Sequence, residues 1–66
     1  MIISDFTGPE LEYLRKNCNF VNLERELFEM RSSGETLETI ADELCISIDY
    51  ARRLSQKVNK KIIKVL

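Results

Sequence analysis

Along the last third of the chain, Asp49, Arg52, Arg53, Gln56 and Lys60 recur at i, i+3, i+4, i+7 and i+11. That spacing puts them on one side of an α-helix. Arginine and glutamine are the side chains that pair with guanine and adenine edges, and an α-helix fits the DNA major groove. The chemistry on offer is recognition of base pairs. In that docking mode the amino-terminal turns of the helix meet the bases. Ile48, Asp49, Arg52, Arg53 and Gln56 are therefore the base-edge candidates. Ile48 could touch a thymine methyl, and Asp49 could accept from cytosine. Lys57, Lys60 and Lys64 are placed to meet phosphates, with Ser47 and Tyr50 adding phosphate contacts from the first turn. A charged face is also what any solvated helix carries, and basic residues near a helix C-terminus complement its dipole. Tyr50 could equally be a half-buried packing residue. The pattern gains weight only from its setting.

Net charge, at −1, says little. The distribution says more. From Glu35 to Tyr50 the charged residues are Glu35, Glu38, Asp42, Glu43 and Asp49, all acidic. From Ala51 onward they are Arg52, Arg53, Lys57, Lys60, Lys61 and Lys64, all basic. Carboxylates near a DNA backbone repel it. Glu35, Glu38 and Asp42 must then point away from a duplex or toward the basic helix, or else serve as a docking surface for a basic partner protein. Arg25 and Arg31 read as solvent or salt-bridge residues.

The elements that position these groups follow from apolar spacing. At 66 residues the chain fits one domain, 1–66. Residues 1–21 form a short amino-terminal helix and connector, and residues 22–66 a three-helix core. Thr7 and Glu10 sit at the reciprocal positions of a capping box, with Pro9 in the first turn. Phe6 can staple against Leu11, and Leu11 and Leu14 make a short stripe ending near Asn17. Asn22 reads as the N-cap of a second helix whose inner face is Leu23, Leu27, Phe28 and Met30, stopped by a left-handed Gly34. Thr36 caps a third helix, about Leu37 to Cys45, with Leu37, Ile40, Ala41 and Leu44 inward. Ser47 caps a fourth, in which Ala51, Leu54, Val58, Ile62 and Val65 keep one stripe. No period-two alternation occurs, so the fold class is all-α.

The third and fourth helices are separated by about three residues. A connection this short forbids an antiparallel pair and implies a steep crossing, as in a helix-turn-helix. The small Ala41 permits close approach, Ile46 can turn inward, and Ala51 and Leu54 can pack back onto Ile40, Ala41 and Leu44.

The stretch GETLETIADELCISIDYARRLSQKVNKKI resembles the helix-turn-helix of LuxR-type regulators and of the fourth region of bacterial sigma factors. Gly34, Ile40-Ala41, Leu44, Ile46-Ser47, Ala51, Leu54 and Lys61-Ile62 occupy the pattern's positions. NLERELFEMRSSG is similar to the helix those families place upstream, with its Arg25-Glu26 step. The resemblance covers Asn22 to Leu66 and departs in two places. Tyr50-Ala51 stands where Thr-Val is frequent, which leaves a smaller core residue for Tyr50 or Phe28 to fill. Cys45 stands at a turn position where glycine is preferred. The resemblance implies a small prokaryotic or phage transcriptional regulator that binds double-stranded DNA, with a recognition helix from about Ser47 to Leu66. The alternative is a protein-interaction module of the same fold, binding RNA polymerase or another regulator through its acidic and apolar faces.

Other classes are disfavoured. There is no histidine, no Gly-rich phosphate loop and no nucleophile motif, so neither an enzyme nor a cofactor is expected. Cys18 and Cys45 are not in a Cys-x-x-Cys pair and read as reduced, packed, small apolar residues rather than metal ligands. MIISDFTGPE lacks the features of a secretory leader, and no apolar run suits a membrane span. A cytoplasmic location is expected. Ile63 and Leu66 fall outside the inner stripe, and they either form a symmetric dimer interface or are covered by Phe6, Leu11 and Tyr13 of the same chain.

Overall fold

A computed structural model describes residues 3–66. Met1 and Ile2, at the start of the domain range and of the stretch read for a leader, lie outside the described residues. The protein is all-helical. A single 3₁₀ turn, Ile3–Asp5, precedes α1 (Gly8–Asn17), α2 (Leu23–Ser32), α3 (Leu37–Leu44) and α4 (Ile48–Val65). α4 lies against α1, α2 and α3, and the 3₁₀ turn lies against α2.

Local chemistry sets most helix starts. Thr7 Oγ1 accepts from the Glu10 N–H while Glu10 returns a bond to the Thr7 N–H, completing the capping box. Thr36 Oγ1 accepts from the Thr39 N–H at 3.2 Å, and Ser47 Oγ from the Tyr50 N–H at 3.1 Å. Asn22 does not cap α2. Its side chain makes no capping bond, and its backbone sits at φ 52°, ψ −128°. The Glu24 N–H closes a turn onto the Val21 carbonyl at 3.0 Å. Asn22 occupies the second position of that turn, where the positive φ is best tolerated by glycine or asparagine. The Val21 N–H is satisfied instead by the Glu24 carboxylate, at 3.2 Å.

Two helices end in the same way. Gly34 has φ +89°. Its N–H donates to the Arg31 carbonyl, and the Glu35 N–H to the Met30 carbonyl. Cys45 has φ 57° and ψ 42°. Its N–H reaches the Asp42 carbonyl, and the Ile46 N–H the Ala41 carbonyl. Both are Schellman endings, which want a left-handed residue at this position. Glycine provides it freely at Gly34, whereas Cys45 holds it at a steric cost of about 1–2 kcal/mol. Part of that cost offsets the chain entropy a glycine would lose. Cys45→Gly is therefore expected to raise stability by roughly 0.5–1 kcal/mol, read as a higher thermal midpoint, and Cys45→Val to lower it.

The core is built by Leu14, Cys18, Phe20, Leu27, Phe28, Ile40, Leu54, Val58 and Ile62, with Ile3 from the 3₁₀ turn. The Phe20 and Phe28 rings lie 4.7 Å apart in a tilted pair. Each stripe expected from spacing is inward, Leu23, Met30, Leu37, Leu44, Ile46 and Val65 only partly. Ala41 and Ala51 are both buried. Tyr50 is 43 % exposed, so it does not fill the room beside the small Ala51, whereas Phe28 is fully buried. The expectation of two packed cysteines holds for Cys18 only. Both thiols are free, but Cys45 is exposed because its left-handed turn swings the side chain outward.

Polar straps complete the packing. Arg15 donates from Nε and Nη2 to the two oxygens of Glu29 at 2.7 and 2.8 Å, and from Nη1 to Glu12 at 2.6 Å. This forked pair ties α1 to α2. The Glu29 hydrogen bond above all raises the Arg15 pKa, and Arg15 in turn holds the Glu29 carboxyl below its ordinary value. A second strap joins the α1–α2 connector to α4. Lys61 Nζ donates to the Asn19 carbonyl at 2.6 Å and to the buried Glu24 carboxylate. The Cys18 thiol, its pKa pushed up by burial, donates to the Lys61 carbonyl at 3.7 Å.

Candidate nucleic-acid interface

α4 carries the site. Its buried stripe, Ala51, Leu54, Val58 and Ile62, fixes the roll of the helix about its own axis. At about 100° per residue, Asp49 and Gln56 then stand opposite that stripe, flanked by Arg52, Arg53 and Lys60. Asp49, Arg52, Arg53, Gln56, Lys57, Lys60 and Lys64 are all exposed, as are Ser47 and Tyr50 at the amino-terminal end. Ile48 is half-buried. The residues read from spacing as base-edge and phosphate candidates therefore share one outer side of α4, with Lys57 and Tyr50 at its margin, except Ile48, which turns partly toward the protein body and leaves that side. The helix is 18 residues long, about 27 Å.

The ion pairs decide which charges are free. Arg52 Nη1 lies 3.5 Å from Asp49 Oδ1, one turn apart on the helix surface. No carboxylate lies within ion-pair distance of Arg53, Lys57, Lys60 or Lys64 among the described residues. Lys61, alone among the cations of α4, is committed to Glu24 and Asn19. The acidic side chains of α3, Glu38, Asp42 and Glu43, are exposed. They form no ion pair with α4 among the described residues. Glu35 is half-buried, and its carbonyl accepts from Arg31 at 2.9 Å. Among the described residues, α4 thus presents several cations without an ion-pair partner, and α3 presents exposed carboxylates.

Ser47 has a double duty. Its Oγ accepts the capping bond from Tyr50, which leaves its own O–H free to donate outward. Losing the cap is expected to cost about 1 kcal/mol, so Ser47→Ala should lower the thermal midpoint by several degrees while Ser47→Asp does not.

Comparison with known protein families, characterised proteins and solved structures finds no match. The site has to be read from its own geometry.

Three features escaped the sequence reading. Glu24 lies on the inner side of α2 and is only 6 % exposed. Burial pushes its pKa up, but the Lys61 hydrogen bond, the Val21 N–H and the charges of Lys61 and Lys57 outweigh that and hold it below its ordinary value. The Arg15–Glu29 fork is the second. The third is a cavity of about 220 Å³ beside it, lined by Arg15, Phe20, Arg25 and Glu29. It belongs to α1 and α2 and their connector, away from the candidate face. No cluster of residues suited to a metal ion occurs among the described residues. None of the described helices is long and apolar enough to cross a membrane.

Proposed function

We propose that this chain is a sequence-specific DNA-binding protein that regulates transcription. In this reading α3 and α4 form a helix-turn-helix and α4 enters the major groove. A single observation carries it. The outer side of α4 is a band of exposed Arg52, Arg53, Gln56, Lys57, Lys60 and Lys64, and among the described residues the Asp49–Arg52 contact is its one ion pair. A band of that composition on the second helix of a three-residue-linked pair fits groove docking. Arg52, Arg53 and Gln56 meet base edges. Lys57, Lys60 and Lys64 meet phosphates, helped by the Ser47 hydroxyl and Tyr50. The exposed carboxylates of α3 face away from the duplex. The setting is a prokaryotic or phage cytoplasm.

The test is a binding titration on a random-core duplex pool at several salt concentrations. Phosphate contacts release counterions, so log K should fall linearly with log salt. With three to five cations engaged the slope is about −3 to −4.5. A salt-independent or absent signal contradicts the reading.

A helix with so few contacts binds weakly at physiological salt, and a symmetric dimer would join two of them. Ile63 and Leu66 are 64 % and 73 % exposed, which fits a mating surface near the end of α4. On this proposal Ile63→Glu with Leu66→Glu yields a monomer by sedimentation, where the parent is a dimer. The second reading, a module that docks on RNA polymerase or another regulator, draws on the exposed Glu38, Asp42 and Glu43 of α3.

A further inference from the structure

α4 contains a single acidic residue, Asp49, among six cations. Its side chain is 79 % exposed and stands opposite the buried stripe, at the centre of the side that would meet DNA. It is in the first turn, the part of the helix that enters deepest. For a surface that grips only phosphates, a carboxylate there is a liability. Every duplex, whatever its sequence, would repel it.

The geometry offers a use. Asp49 Oδ1 lies 3.5 Å from Arg52 Nη1. That contact leaves the Nε–Nη2 edge of Arg52 and the Oδ2 of Asp49 without partners among the described residues. The free arginine edge matches the paired O6 and N7 acceptors of guanine. The free carboxylate oxygen accepts only, so it suits the amino group of cytosine or adenine and repels the O6 of guanine or the O4 of thymine.

We infer that Asp49 and Arg52 act as a couple that sets sequence choice. Arg52, with Asp49 beside it, meets guanine through its free edge, and Asp49 admits only an amino-bearing base, cytosine or adenine, at the neighbouring position. This rests on the DNA-binding reading above and deepens it. Asp49 is a selectivity residue more than a source of affinity.

A first-turn aspartate also stabilises a helix through the dipole. That role alone predicts that Asp49→Glu, which keeps the charge, behaves as the parent does. The couple predicts otherwise, because the longer side chain moves the carboxylate off both partners.

The experiment is selection from a random-core duplex pool with the parent, Asp49→Asn and Asp49→Glu, alongside thermal melting of each. The parent should enrich guanine next to cytosine or adenine. Both variants should keep the guanine and lose at least about fivefold in discrimination at the neighbouring position. Asp49→Asn should also bind unselected duplex more tightly, and Asp49→Glu should melt as the parent does. If both variants enrich the parent's motif at the parent's strength, the couple is wrong and the DNA reading stands. If the parent binds duplex without enriching any motif, the couple is again wrong. If the parent binds no duplex at any salt, the DNA reading fails and takes the couple with it.

Discussion

Replacing Arg52 and Arg53 together by alanine is expected, on the proposed docking, to abolish measurable binding to a selected duplex while leaving the fold intact. Both side chains are exposed, and neither contributes to the core. Their loss costs no buried surface, and the Asp49–Arg52 pair is a surface contact of the kind worth little. A good bidentate arginine–guanine contact is worth about 1–3 kcal/mol of discrimination, so two lost together weaken specific binding by on the order of a hundredfold or more. Two readouts should separate. Anisotropy on the selected duplex collapses, and the circular dichroism melt stays within a degree or two of the parent. Lys57→Ala serves as the contrast. In the proposed docking it would remove a phosphate contact, so it should weaken selected and unselected duplexes alike and lower the salt slope by about one. If the double variant binds as the parent does, α4 does not read the bases.

The largest effect on stability is expected from Lys61. Its ammonium joins the Asn19 carbonyl to the Glu24 carboxylate, and Glu24 in turn caps the Val21 N–H. Lys61→Ala leaves Glu24 buried with one hydrogen bond, from the Val21 N–H, and only the more distant charge of Lys57. Stranding one partner of a buried pair costs about 3–5 kcal/mol. The Lys61 side chain is 31 % exposed, so water shares the load and about 2–3 kcal/mol is the fitting figure here. In a domain of this size that is a thermal shift of roughly 10–20 °C. Replacing both residues with apolar ones, Glu24→Leu with Lys61→Met, should restore much of the loss, because the desolvation cost goes with the charge.

The same pair fixes a pH dependence. The folded protein holds the Glu24 carboxyl below its unfolded value. Its stabilisation is therefore fully present above the unfolded pKa and is lost as pH falls through the folded one. Glu29, lowered by Arg15, acts in the same direction. Thermal midpoints should fall on acidification below about pH 4.5, and Glu24→Gln should flatten part of that fall.

What the sequence made legible was local. Thr7, Thr36 and Ser47 cap their helices because the cap is decided within three residues. Gly34 ends α2 because only a left-handed residue closes that turn. The stripe Ala51–Leu54–Val58–Ile62 fixes the roll of α4, and with it the outward placement of Arg52, Arg53 and Gln56. What stayed hidden was non-local. Lys61 and Glu24 are 37 residues apart, and nothing in either neighbourhood marks a charged pair for burial. Once Glu24 turned back to Val21 and Lys61, Asn22 was left to make the turn instead of the cap. Cys45 misled because burial is the general habit of free cysteine, while here the backbone conformation of the turn decided. Charge along α3 and α4 was readable as composition, but which cations stay unpaired needed the folded arrangement, since Lys61 and Lys60 differ only by one step around the helix.

The outer side of α4 is proposed as the surface that meets DNA. Titrating a pool-selected duplex into isotope-labelled protein and following backbone amide shifts tests it directly. The shifts should concentrate from Ser47 to Lys64, strongest near Asp49 to Gln56, and the neighbours of the α3 carboxylates and the Arg15–Arg25 cleft should stay still. Shifts centred on Glu38 and Asp42, or on the cleft, with α4 unmoved, would contradict it.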